Sequence, residues 1–415
     1  MRILLFTGKG GVGKTTTAAA SAVRAARAGV STLVMSTDAA HSLGDALESD
    51  LRGGHPVEVE PRLHALQVSA HHTVDQSWRV VQDFLLELLA TVGLDPVVAE
   101  ELTSLPGAEE IAALLELRAR AESGRWDLIV VDCAPTAETL RLLALPEALA
   151  WHLERLLPGQ RGLLRTLRPA AAAAAGMPLP DAAVVETVKG WYQQMREVQR
   201  LLTSPVTSVR LVLTPERVVI AESRRTWTSL SLYGYVVDQV IVNRVFPDAA
   251  AEVRGRGRPD PWRSGWNAAQ RDGLVEVADS FSGVPVVTSP YLPQEPTGVE
   301  ALAALAASGS AEAEDVTTLL TPVTRRGLTV DREGEEYLLC LPLPLVTASE
   351  VDLKRRDDEL LVVVGDHRRV LTLPAVLKRC VVKTAAVKGG TLRVRFAPDE
   401  SLWPSTGSAN GEAPS

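Results

Sequence analysis

The first seventeen residues, MRILLFTGKGGVGKTTT, constrain this chain more than any other stretch. Residues 3–7 are an apolar run suited to a buried strand. Residues 15–28 are alanine-rich, are closed by Gly29, and read as a helix. A second apolar run, 31–36, follows. Strand, glycine loop, helix and strand make a βαβ unit, which demands a parallel sheet with helices on both faces. Runs at 128–131, 209–213, 237–242 and 284–288 predict further buried strands in an α/β fold.

Gly8 to Thr15 fits the pattern G-x-x-x-x-G-K-[ST]. Gly8, Gly10, Gly11 and Gly13 let the backbone turn tightly and aim N–H groups at phosphate oxygens, and the helix start adds its positive dipole end. The pattern assigns Lys14 to the β- and γ-phosphates of a nucleotide and the Thr15 hydroxyl to Mg²⁺. Its setting between strand and helix makes this a P-loop NTPase site. Lys9, a second lysine behind the first glycine, is not needed for that task.

Two acids stand at other strand ends. Asp38, in STDAAHSLGDAL, either orients or deprotonates an attacking water or caps the following helix. Asp132 ends the apolar strand of RWDLIVVDCAPTAETLRLL, where a magnesium-holding acid is required, directly or through water. Cys133 beside it reads as a small buried residue, since no histidine lies nearby in sequence.

With 415 residues the chain exceeds one compact core, so two domains are expected. A net charge of −8 argues against a general nucleic-acid binder. Cys133, Cys340 and Cys380 are dispersed without a C-x-x-C pair, so neither zinc nor a disulfide framework is expected and a cytoplasmic location is. No apolar segment reaches the roughly 18 residues of a membrane span. Cleavage of a signal peptide would remove the strand supporting the phosphate loop.

Character changes near residue 308. SGSAEAEDVTT opens a linker, 308–327, between a first domain, 1–307, and a small β-sandwich, 328–399; a disordered tail, 400–415, follows. Within the sandwich, segments 337–341, 359–364, 369–373 and 391–396 read as strands. In the last, Leu392, Val394 and Phe396 alternate with Arg393 and Arg395, the period of a strand with one buried face. Residues 151–202 are less regular and include the alanine run 170–175.

Together these motifs resemble one family. GKGGVGKTT is similar to the deviant Walker A motif of the ParA, MinD, nitrogenase-iron-protein and ArsA class. STDAAHSLGDAL and DCAPTAETLRLL resemble the two switch segments of the ArsA branch, and LPGAEEIAALLEL, LTPERVVIAESRR, VIVNR and SPYLPQEPTG resemble its other segments in order, over roughly 1–307. AAVKGGTLRVRF approximates the signature of the small heat-shock, α-crystallin-like fold, with Gly389 in place of asparagine.

The resemblance implies a homodimeric, Mg²⁺-dependent ATPase. Gly8, Lys9, Gly10, Gly11, Val12, Gly13, Lys14, Thr15 and Thr16 would contact the nucleotide, with Glu216, Asn243 (reading the adenine), Pro290 and Leu292. Asp38 would position the hydrolytic water, Asp132 would belong to the second switch, and Lys9 would reach the partner's nucleotide. The cycle would serve a hydrophobic protein client or membrane partner; energising an arsenite or anion exporter and a low-turnover nucleotide-gated scaffold are the alternatives. Ala39, Ala137 and Glu138 depart from the family's switches. Only Met177 and Met195 fall where targeting members carry a methionine-rich groove.

Overall fold

The computed structural model describes residues 1–38, 42–68, 108–134, 182–247, 261–308, 316–324, 327–399 and 401. Ala39, Ala137, Glu138, Met177, the alanine run, residues 309–315 and 325–326 of the linker and nearly all of the tail lie outside them. The chain divides into two compact units. The first comprises Met1–Ser223 and Val237–Thr324, the second Arg224–Val236 and Arg325–Ser415.

In chain order the first unit carries β1 (Arg2–Thr7), α1 (Lys14–Arg27), β2 (Thr32–Ser36), α2 (Ser42–Leu47), β3 (Val57–Glu60), β4 (Leu63–Gln67), α3 (Ala108–Glu122) and β5 (Leu128–Asp132). It continues with α4 (Ala182–Leu202), β6 (Thr207–Leu213), α5 (Arg217–Leu232), β7 (Val237–Val245), α6 (Pro261–Ser280), β8 (Val286–Pro290), α7 (Gly298–Ala306) and α8 (Val316–Leu320). Helix α5 passes into the second unit at Arg224.

Among the described residues the strands form one eight-stranded sheet, ordered β3-β4-β2-β5-β1-β6-β7-β8. All neighbours pair in parallel except β3 with β4. Every residue of β1, β2, β5 and β6 is buried, because helices cover both faces. Each fully buried Leu, Ile or Phe there stabilises the sheet by about 1.5–3 kcal/mol.

Alanine gives α1 its helical preference and keeps its sheet-facing side, Ala18, Ala19, Ala22 and Ala26, small enough for close packing. Gly29, at φ 93°, ends it, and the amides of Gly29 and Val30 bond back to Ala26 and Ala25 carbonyls.

The second unit is an antiparallel sandwich. One sheet is ordered β14 (Cys380–Lys388), β15 (Thr391–Pro398), β10 (Glu336–Pro342) and β9 (Thr329–Glu333); the other holds β11 (Val351–Arg356), β12 (Glu359–Val364) and β13 (His367–Thr372). Leu339, Leu341, Leu392, Val394 and Phe396 from one sheet share a core with Leu360, Val362 and Leu371 from the other. Leu232 belongs to the same core, and the buried Arg369 guanidinium donates to the Leu232 carbonyl at 2.6 Å. Thr228 donates to the Pro344 carbonyl at 2.8 Å. The segment Arg224–Val236, which sequence reading left inside 1–307, thus packs with the sandwich.

Candidate functional site

Parallel strands put their carboxyl ends on one edge, where open α/β sheets bind ligands. At that edge β1 leads into the phosphate loop, β2 into Asp38, β5 ends in Asp132, β6 precedes Glu216, and β7 carries Asn243. Asp132 is in register with Phe6 on one side and Ser36 on the other, so the loop, the Asp38 segment and the Asp132 segment start from adjacent strands.

Two glycines of the loop are fixed by close approach. A Cβ at Gly8 would collide with the Val212 carbonyl oxygen of β6. Gly13, at φ 89°, caps α1 in the left-handed region, and a Cβ there would strike the Asn243 amide. Asn243 is buried, and its Nδ2 donates to the Val12 carbonyl at 2.8 Å. It therefore braces the loop backbone from below.

Lys14 is the first residue of α1 and is largely buried; its Nζ lies 3.4 Å from the Lys9 carbonyl. Thr15 and Thr16 follow, each half-buried on the first turn. Asp132 is fully buried. Its Oδ2 accepts from the Ser36 hydroxyl at 3.1 Å, and the Thr15 side chain lies near enough to favour the ionised form. Desolvation is the largest influence and pushes its pKa up to about 6; Thr15, Ser36 and the Lys14 charge oppose this, while Asp38 adds to it.

The other oxygen, Asp132 Oδ1, is buried with no hydrogen-bond partner. An unsatisfied carboxylate oxygen beside a threonine hydroxyl suits a hard, oxygen-seeking cation such as Mg²⁺, bound directly or through water. The donor set present therefore fits the metal the phosphate loop implies.

Asp38 is held through its backbone. Its N–H donates to Ser36 Oγ at 3.2 Å, and its carbonyl accepts from Gln67 Nε2 at 2.8 Å. Thr37 donates its N–H to the Asp132 carbonyl at 3.0 Å, tying the ends of β2 and β5 together. Ser36 and Gln67 were missed in the sequence. Ser36 could have been found as the strand-ending hydroxyl before Thr37-Asp38, whereas β4 has no apolar run to announce it.

The remaining expected residues lie farther out. Glu216 is exposed at the start of α5, bonded by the Thr214 hydroxyl. Lys9 pairs with Glu222 of α5 at 3.7 Å. Pro290 ends β8 opposite Val245, and Leu292 is half-buried just beyond. Both are on the same sheet edge as Asn243, but β6 and β7 separate β8 from β1. Cys133 is fully buried, and burial drives its thiol pKa far up, so it is an inert core residue.

Comparison with known proteins adds an independent line. A family model described as "Anion-transporting ATPase" matches residues 1–308, and one described as "HSP20-like domain found in ArsA" matches 334–396. An uncharacterised protein of Streptomyces coelicolor is 40% identical over 409 residues, covering 97% of this chain and 99% of its own. A Chlorobaculum tepidum protein named "Putative arsenical pump-driving ATPase" is 34% identical, covering 95% and 96% respectively. The protein "ATPase GET3C" of Arabidopsis thaliana is 30% identical over 318 residues, 72% of this chain and 79% of its own.

Proposed function

The chain belongs to the anion-transporting ATPase family, and from that premise we propose a Mg²⁺-dependent homodimer whose ATP cycle captures and releases a hydrophobic protein client. The observation that carries the catalytic part is the Asp132 carboxylate, bonded by Ser36 near Thr15 and with one buried oxygen left for a cation. Thr15 and Asp132 would hold the metal. Bound there, Mg²⁺ would neutralise charge on the terminal phosphates.

The chain's own residues divide the remaining work. Backbone N–H groups of the glycine loop and the start of α1 receive phosphate oxygens. Lys14 leaves the Lys9 carbonyl for the phosphates and stabilises charge developing on them. Asp38 orients the attacking water. Lys9 supplies a second positive charge to the nucleotide of a partner copy, which makes hydrolysis dependent on dimer closure. The Asn243 side chain supports the loop and, as the family resemblance implies, would read the adenine.

The client reading draws on the α-crystallin-like domain fused to the ATPase unit. No helix among the described residues is long and apolar enough to cross a membrane. An Asp38→Asn variant, trapped with ATP, should retain proteins bearing exposed apolar segments that ADP releases. Equal recovery with both nucleotides would contradict the client reading.

A second reading, an ATPase subunit for an anion exporter, is favoured by the family's description and by the name of the Chlorobaculum relative. Soft As(III) needs several thiolates close together, and burial raises the pKa of Cys133, Cys340 and Cys380 alike. Arsenite-stimulated turnover that disappears in the triple Cys→Ser variant would establish it over the client reading.

A further inference from the structure

Gln67 ends β4 and is 3% exposed. It stands in register beside Ser36, the last residue of β2. Its Nε2 donates to the Asp38 carbonyl at 2.8 Å, while its Oε1 is buried and accepts no hydrogen bond. A side chain kept only for packing would not carry an unsatisfied buried oxygen, since an aliphatic residue of the same length would fill the space without it.

The geometry explains what the amide does. The Asp38 N–H belongs to the peptide plane before its Cα, and the Asp38 carbonyl to the plane after it. Ser36 Oγ tethers the first and Gln67 the second. With both planes fixed, φ and ψ of Asp38 are fixed, and so is the direction of its Cα–Cβ bond. The partner must be a donor, because the tethered group is a carbonyl. A neutral amide gives that donor without adding a charge beside the Asp38 carboxylate.

We propose that Gln67 is a positioning residue for hydrolysis: it acts through the main chain of Asp38 to aim the carboxylate that orients the attacking water. The role rests on the ATPase reading above. The Gln67 side chain bonds the Asp38 carbonyl rather than Thr15 or Asp132, so its loss should spare binding and slow the chemical step.

Gln67→Met keeps length and removes the orphan acceptor along with the donor, so the relieved oxygen offsets the bond lost by the half-buried Asp38 carbonyl and the variant should fold about as well as the parent. Gln67→Glu keeps the shape but, when ionised, turns oxygens toward a carbonyl. The first measurement is hydrogen exchange at Thr37 and Asp38 in nucleotide-free protein, which does not depend on turnover. Exchange there should rise about tenfold in both variants, with β1 and β5 unchanged. The second is steady-state ATP hydrolysis: kcat should fall about 10–100-fold with KM within a factor of two. Unchanged exchange at Asp38 overturns the proposal, and so does faster exchange with parental kcat. A parallel loss of kcat, KM and melting temperature also overturns it, by making Gln67 merely structural. If the parent releases no phosphate, the ATPase reading fails by itself, and the exchange result still decides whether Gln67 holds Asp38.

Discussion

The Lys9 ammonium lies 3.7 Å from the Glu222 carboxylate of the same chain, and both side chains are about one-third exposed. A pair so open to water contributes little to stability, and either residue can leave it easily. In a single chain, then, the second lysine of the phosphate loop rests on α5. We expect Lys9→Ala to change unfolding free energy by less than about 1 kcal/mol in denaturant titration. The same variant should bind ATP nearly as the parent does. Its turnover should fall on the order of 10³-fold, the scale of a transition-state cation supplied in trans, and ATP-dependent dimerisation should vanish in sizing.

Gly13 cannot carry a side chain. Its φ of 89° costs an L-residue about 1–2 kcal/mol, and a Cβ would also push Asn243 from the Val12 carbonyl. Gly13→Ala should weaken ATP binding at least about tenfold by calorimetry, since each 1.4 kcal/mol is one decade.

Asp132 predicts an unusual pH dependence in the nucleotide-free protein. Its pKa is raised to about 6 in the fold, from 3.8 for the free group. The folded state therefore holds more protons than the unfolded chain between those values, so this contribution is present below about pH 4 and is lost as pH rises through 6. At 1.36 kcal/mol per unit the loss approaches about 3 kcal/mol. Asp132→Asn should remove it, melting higher than the parent at pH 7.5 without nucleotide while failing to support Mg²⁺-dependent hydrolysis. A parental melting temperature for the variant from pH 4 to 7.5 would contradict this.

In the second unit, Arg369 ties β13 to the end of α5 by donating to Leu232. Arg369→Met leaves that buried carbonyl with one donor fewer and should destabilise the sandwich by about 1–3 kcal/mol. Exchange protection in β12 and β13 should drop while β1 and β5 keep theirs.

The most legible strands in the sequence are those buried on both faces, and strand β15 was legible from the alternation of one buried face. Strands β1, β2, β5 and β6 announce themselves as mostly apolar runs, and the charged side chains Arg2 and Arg210 buried within them are paired with Asp238. Strand β4, LHALQ, mixes polar and apolar residues, and β3 is short and lies at the sheet's edge. Strands β9, β11 and β14 also escaped, since each runs at an edge of its sheet and is largely exposed.

At the site, a local spacing rule gave Lys14, Thr15 and the glycines. Asp132 was readable from its place at a strand end. Residues that act across the sheet left no such mark. Ser36, Gln67 and the bracing contact of Asn243 depend on which strands become neighbours, and that order is not written in any one segment. The docking of Leu232 into the sandwich core joins residues more than a hundred positions apart, in a helix whose sequence shows only ordinary amphipathic spacing.

The central claim is that Asp38 and the Asp132–Thr15 pair make one hydrolytic site on the loop that Lys14 closes. Single-turnover phosphate release from bound ATP, with and without Mg²⁺, compares the parent with Asp38→Asn most directly. The parent should release phosphate only with Mg²⁺. Asp38→Asn should bind ATP equally and release phosphate at least about 100-fold more slowly, the range for loss of a positioned acid–base group. Phosphate release by Asp38→Asn at the parental rate, or by the parent without Mg²⁺, would contradict the account.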